Sequence, residues 1–539
     1  MEATSTTQLL SYPILYPQSS ISYLLKPAKI NVESGVRKGI RLRPLTHAPH
    51  HNYLLCTIKG VTMDDSNDRW LWKVSPIERI CETCHQSGTL LIAYHLTLGS
   101  HTPLQEHHVT QALLHLYRKV PCLRACYGKR DGDLWLRKVN QLNIDFKVLP
   151  QSELHQVMDC LRTYHYNSFT GPLWCARLVH ETGKLDATQA KLPHPISSKE
   201  PCSHTAPDVT FSHTSHLFLG FHHGIVDGMT IMKICGLLAS LLDDVIAGEE
   251  IDDEDQLGFH VSNEETEKVV QESREKLSAN PELMQKWKKE MEIRDNWKTL
   301  LKQIHKPEVG EEKSLHIEQK LDEEVTGKFI SRCRSEGVTI HSGFMALAHW
   351  ALIDVLANNG LDQNVYSIHA CHVVNVRRYW QSNSSCALGC HLINSLTLYT
   401  DVPRSLNKDS FWDFARMVHD DVQGNLKSGK ILDEEAYGSL TPQMFDLDQF
   451  LDFSLPADIY ASNMGDVTGL VVQGKEKHVR VSDILRSVSL HKRDSTCSHL
   501  FHTFRGCLIS VLDYNTRFVS TSIAQSYANG IFSRLAEVI

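Results

Sequence analysis

An apolar strand, 216–221, runs straight into His222-His223-Gly224-Ile225-Val226-Asp227-Gly228, and the stretch that follows, 229–247, has the apolar content of a buried helix. A strand and a helix joined so closely, both apolar, belong to a layered domain of mixed α and β structure. The join also places side chains. A strand end holds His223 rigidly, and Gly224 and Gly228 are read as permitting a tight chain reversal. Histidine titrates near neutrality, so His223 can take a proton from an attacking hydroxyl, amine or thiol and return it to a leaving group. Asp227 has two available roles: pairing with an arginine, or capping the helix that begins after it.

The same alternation recurs on both sides. Ser75-Pro76 opens a helix within 72–82, and 88–98 reads as a strand. Val109, Ala112, Leu113, Leu116, Tyr117 and Val120 recur at helical spacing. Segments 122–127 and 134–139 flank Asp131-Gly132 as a hairpin, 154–164 reads as a helix and 173–179 as a buried strand. In the second half, 321–336, 342–357, 410–426 and 522–538 read as helices, and 365–376, 393–399 and 459–463 as strands. The fold class is therefore α/β (α+β). Residues 180–215 are polar, with prolines at 193, 195, 201 and 207, and read as a mobile loop. Residues 250–318 are dominated by charge with helical patches inside, a solvated connection between two lobes. The expected division is a poorly ordered N-terminal extension over 1–65, an N-terminal lobe over 66–249, a charged helical linker over 250–318 and a C-terminal lobe over 319–539.

Composition closes several alternatives. The net charge of −8, with no basic run carrying interleaved aromatics, argues against nucleic acid as a partner. Fifteen cysteines without framework spacing point to reduced thiols and a cytoplasmic chain. No apolar run reaches the roughly 18 residues of a membrane span, and no basic-then-apolar leader is visible. Cys81-Glu82-Thr83-Cys84-His85 has the spacing of a c-type haem attachment, but it lies in a helix and no secretory signal accompanies it, so the spacing is read as coincidence. His107-His108 and His47, His50 and His51 lack metal-ligand company and are read as surface residues, so no metal is expected. Gly183-Lys184 lacks the upstream glycine of a phosphate loop, and no Gly-x-Ser-x-Gly elbow occurs.

His222-His223-x-x-x-Asp227-Gly228 resembles the signature of the chloramphenicol acetyltransferase-like superfamily, which includes BAHD acyltransferases, alcohol acetyltransferases, polyketide-associated acyltransferases and condensation domains of peptide synthetases. Three further segments agree in order: 171–179 resembles the strand before the signature, Val374-Asn375-Val376-Arg377 the segment whose arginine meets the signature aspartate, and Ser462-Asn463-Met464-Gly465 the Ser-Asn-x-Gly turn of the alcohol acetyltransferase and polyketide-associated branches. The resemblance covers about 70–539; an Asp-Phe-Gly-Trp-Gly segment is absent, unlike typical plant BAHD enzymes. It implies two chloramphenicol acetyltransferase-like lobes, each a mixed sheet with flanking helices, and a tunnel between them with the signature histidine midway. It implies acyl transfer from acyl-CoA, or from a carrier protein acting in trans, to an alcohol or amine, with His223 as general base and Asp227 paired with Arg377. His222 and Gly228 would be structural, and Ser462, Asn463 and Gly465 would offer a substrate or oxyanion contact. No bound cofactor is expected, acyl-CoA being a co-substrate, and the chain is expected to be a monomer. A binding protein of the same fold without catalysis, or a condensation-type enzyme, are the alternatives.

Overall fold

Ser75 starts the first helix, Pro76–Gln86, through a reciprocal cap: its hydroxyl accepts from the Glu78 backbone while the Glu78 carboxylate accepts from the Ser75 backbone. This computed structural model describes residues 69–139, 142–181, 211–304, 312–382, 385–393, 395–441, 456–491 and 495–539. All of them belong to one unit of the chain, 59–539. The expected extension over 1–65, His47, His50 and His51, most of the 180–215 loop and Gly183-Lys184 lie outside the described residues.

Two mixed sheets organise the rest. The first has the strand order Val479–Val488, Ile92–Ser100, His213–Phe221, Trp174–His180, Asp145–Leu149. The second runs Leu396–Pro403, Val365–His372, Ile459–Asp466, Cys497–Phe504, Cys507–Asn515, Ser314–Lys320. Each sheet contributes to its own apolar core, with helices Glu106–Lys119 and Gly228–Ala247 on the first and Ile340–Asn358, Phe411–Ser428 and Thr521–Val538 on the second. The central strand His213–Phe221 is buried over its last seven residues, which is why its sequence is continuously apolar toward the signature. The hairpin at Asp131-Gly132 forms as expected, both residues having positive φ, 53° and 83°.

Two boundaries differ from the sequence reading. Val479–Val488 lies in the half assigned to the C-terminal lobe, yet it pairs antiparallel with Ile92–Ser100 in the first sheet. Its alternation is broken at a bulge between Val481 and Asp483, which blurs the period-two pattern that marks a strand. Ser314–Lys320 begins inside the stretch read as linker but forms the edge strand on Cys507–Asn515; an edge strand keeps one polar face, so its charges hid it. The helix Ile340–Asn358 is long and apolar enough by length and composition to cross a membrane, where the sequence reading found no such run. It is the buried central helix of the second core.

Candidate active site

The signature sits where the strand His213–Phe221 ends. The His222 backbone N–H donates to Leu173 O at 2.9 Å, which continues the sheet pairing for one more residue. A short 3₁₀ turn, His223–Ile225, then leads into the helix Gly228–Ala247. His222 is fully buried, and both ring nitrogens are spoken for: Nδ1 accepts from the Gly224 N–H at 3.0 Å and Nε2 donates to Glu82 Oε2 at 2.9 Å. Burial lowers its pKa to about 4, so it is a neutral imidazole of fixed tautomer. Burial pushes the Glu82 carboxyl upward, but hydrogen bonds from His222 and His85 outweigh it and hold the group well below the usual range. Glu82 thus clamps the first signature histidine from the opposite helix.

His223 is oriented from the other side. Its Nδ1 donates to Val226 O at 2.9 Å, and the residue lines a cavity. Among the described residues Nε2 makes no hydrogen bond, so it is the nitrogen available to a ligand. Burial works against the imidazolium, but Cys390 and the carbonyls of His223 and Val226 favour it more, leaving the pKa raised from the ordinary value.

Asp227 fills both roles that its position allows. Oδ1 accepts from the Thr230 N–H at 2.9 Å, capping the helix, while Oδ2 meets Arg377 Nη1 at 2.7 Å and the His391 N–H at 3.1 Å. Burial raises its pKa, and the Arg377 charge, with His391 and the two hydrogen-bond donors Arg377 and Thr230, more than reverses that. Arg377 is itself buried and also donates to Asn375 Oδ1 at 3.3 Å and Ala387 O at 3.1 Å. Arg377 and His391 of the second half therefore grip the signature of the first.

The glycines act differently from the expectation of a tight reversal. Neither Gly224 nor Gly228 has a positive φ. At Gly224 a Cβ would lie 1.9 Å from Tyr127 Oη, so the residue is needed for close approach. Gly228 is the first residue of the helix, and a Cβ there would lie 3.1 Å from Met464 Sδ at the cavity wall.

The cavity at His223 has a volume of about 410 Å³ and is mostly apolar, with Ile80, Tyr94, Met229 and Leu500 in its wall. Ser462 and Asn463 also line it, whereas Gly465 does not. Ser462 Oγ accepts from Arg486 Nη1 at 3.0 Å, and Asn463 Oδ1 accepts from the Gly465 N–H at 2.8 Å. Gly465 has φ +69° and supplies the left-handed turn there. A second cavity of about 980 Å³ shares Met229, Val373, Asn375, Arg377 and Asn463 with the first. Lys233, Arg334 and Arg378 stand in its wall, and among the described residues no carboxylate does.

Sequence reasoning missed Glu82, Tyr127, Cys390 and His391. Glu82, His85 and Cys81 belong to the motif set aside as a coincidental haem spacing. The spacing does not join its two cysteines: Cys81 Sγ lies 3.9 Å from Cys390 Sγ, and Cys390 Sγ lies 4.0 Å from His223 Nδ1. A buried acid on a helix, one turn from a buried histidine, was the available signal; its partner is 140 residues away. Among the described residues two groups bring three potential metal-ligating atoms within 4.8 Å of one another: Cys81 with His223 and Cys390, and Glu82 with His85 and His222. His107 is exposed and His108 half-buried.

No family model matches the sequence, and no curated protein does. Solved structures match in fold. The trichothecene 15-O-acetyltransferase of Fusarium sporotrichioides is 12% identical, with a TM-score of 0.60 over 88% of this chain and 95% of that one. The epimerization domain from the third module of tyrocidine synthetase B is 13% identical, with a TM-score of 0.59 over 87% and 96%. Polyketide synthase associated protein 5 from Mycobacterium tuberculosis is 13% identical, with a TM-score of 0.57 over 87% and 98%. The likeness is one of fold: the chain is similar in fold to an acetyltransferase, an epimerization domain and a polyketide synthase associated protein.

Proposed function

We propose that the protein is an acyltransferase that moves an acyl group from a thioester, acyl-CoA or a carrier-bound equivalent, to a hydroxyl or amine, with His223 as general base. Fold alone does not select a reaction, since similar structures include an acetyltransferase and an epimerization domain. The observation that carries the reading is the His223 ring, tethered by Nδ1 to Val226 O at the wall of an apolar cavity. That tether selects the tautomer whose Nε2 lone pair can accept a proton.

In the proposed reaction the acceptor gives its proton to Nε2 as its oxygen or nitrogen attacks the thioester carbonyl. The tetrahedral oxyanion then collapses, and the departing thiolate takes the proton back from the imidazolium. No acyl-enzyme is needed. The Ser462 hydroxyl accepts from Arg486, which leaves its own proton for an oxyanion in the cavity. The acceptor and acyl chain occupy the apolar cavity. The phosphates of the donor occupy the cationic second cavity, where Lys233, Arg334 and Arg378 favour negative charge.

The test is incubation of the purified chain with a panel of acyl-CoAs and pooled alcohols and amines, with products followed by mass. Acceptor-dependent ester or amide formation with release of free CoA supports the proposal. Tight acyl-CoA binding with no product from any acceptor class would leave the binding-protein alternative instead.

A further inference from the structure

Two cysteines beside His223, Cys81 in the cavity wall and Cys390 behind the ring, have no part in acyl transfer as proposed. Cys81 sits on the helix Pro76–Gln86, and Cys390 immediately precedes His391, whose N–H donates to Asp227. The two thiols come from positions 309 residues apart, both are 2% exposed, and Cys81 and His223 line the same cavity. Cys81 Sγ, Cys390 Sγ and a His223 ring nitrogen all lie within 4.8 Å of one another. A tetrahedral zinc ion with bonds of about 2.3 Å to sulfur and about 2.0 Å to nitrogen spaces such ligands about 3.5–3.8 Å apart. The observed 3.9 Å and 4.0 Å lie within about half an ångström of that spacing, the third pair, Cys81 Sγ and the His223 ring, lies within 4.8 Å, and closing on a cation also requires Nδ1 to turn away from Val226 O. In the other cluster the 2.9 Å hydrogen bond from His222 Nε2 to Glu82 is the contact that holds the first signature histidine in place.

We propose that Cys81 Sγ, Cys390 Sγ and His223 Nδ1 form a three-ligand site for a thiophilic divalent cation such as Zn2+, with the fourth position open to the cavity. On binding, the two thiols release two protons to solvent, and the two thiolates neutralise the cation, so no net charge is buried. The Nδ1 proton moves through solvent to Nε2, because the metal takes the Nδ1 lone pair. The hydrogen bond to Val226 O is given up. A ring metallated at Nδ1 and protonated at Nε2 cannot accept a proton from an acceptor, so the cation switches the base off. This inhibitory half rests on the reading of His223 as general base; the binding half does not.

Binding is read on the reduced, metal-free full chain titrated with Co2+, through thiolate-to-cobalt charge transfer and tetrahedral ligand-field bands, with Zn2+ displacement giving the zinc affinity. One Co2+ per chain is expected in the wild type and in Cys160→Ser, which removes an exposed thiol. Cys81→Ser and Cys390→Ser are each expected to lose the bands and to weaken zinc binding by more than the about 10–100-fold that loss of an outer-shell partner costs. Absence of bands in the wild type, or their survival in both variants, would overturn the site. X-ray absorption on zinc-loaded wild type requires no variant to fold: two sulfur ligands and at least one nitrogen are expected, and any other sulfur count overturns the assignment. In turnover, zinc is expected to inhibit the wild type and to lose at least tenfold in potency toward Cys390→Ser. Zinc that binds with two sulfurs yet leaves turnover unchanged overturns the inhibitory half alone.

Discussion

Replacing Arg377 by Met keeps most of the side-chain length and removes the charge that faces Asp227. The pair is buried on both sides, at 7% and 3% exposure, with Nη1 to Oδ2 at 2.7 Å. Removing one partner of a buried ion pair costs about 3–5 kcal/mol, because the other charge is left without compensation. Asp227 would keep two backbone donors, Thr230 N–H and His391 N–H, which places the expected loss near the lower end, about 3 kcal/mol. With a urea m-value of about 3 kcal/mol per M, that moves the unfolding midpoint by about 1 M. The loss should also depend on pH. In the wild type the Asp227 pKa is lowered, so its contribution is present above the unfolded value of 3.8 and fades as pH falls through the folded value. In the variant, burial without Arg377 raises the pKa, and the penalty of the buried carboxylate is relieved on acidification. The gap between the two proteins should therefore shrink between neutral pH and about pH 4. Urea unfolding by tryptophan fluorescence at several pH values measures it. A neutral-pH difference below about 1 kcal/mol, or a gap that does not change with pH, would refute the claim that a compensated buried charge holds the two halves together here.

Three other outcomes follow from the site. Gly224→Ala should destabilise the chain by about 1–3 kcal/mol through the clash with Tyr127 Oη, and adding Tyr127→Phe should recover part of it in the same urea assay; no recovery would contradict the close-approach reading. Since the base must be neutral and the His223 pKa is raised, kcat/KM should fall on the acid side through a single-proton limb centred above the ordinary imidazole value of 6.5; a profile flat down to pH 5.5 would oppose it. Arg378→Glu should raise KM for acyl-CoA more than for a short thioester lacking the nucleotide, with the difference shrinking at high salt; equal changes for both donors would remove the second cavity as the phosphate site.

What could be read in advance was local. Strand, signature and helix adjoin in the chain, and so do Asp131-Gly132 and its two strands, so neighbouring residues carried the pattern. The rest is set by distant partners. Glu82 reads as an ordinary helical acid until His222 is placed against it, and Cys390 has no meaning until Cys81 and His223 surround it. The crossing strand Val479–Val488 is defined by its partner Ile92–Ser100 and a bulge, neither of which its own sequence displays. Gly224 shows the limit of residue-type reasoning: a glycine suggests a turn, while here it clears space for a tyrosine hydroxyl.

The central claim is that the free nitrogen of His223 carries the proton. It is tested by comparing acceptor-dependent release of free CoA in the wild type and His223→Ala, with urea midpoints and acyl-CoA binding measured alongside. A fall in kcat of about 10²–10⁴-fold, the usual worth of general base catalysis, is expected, with donor binding and stability nearly unchanged. Turnover in His223→Ala within about threefold of the wild type would contradict it, since general base catalysis cannot be removed at so small a cost.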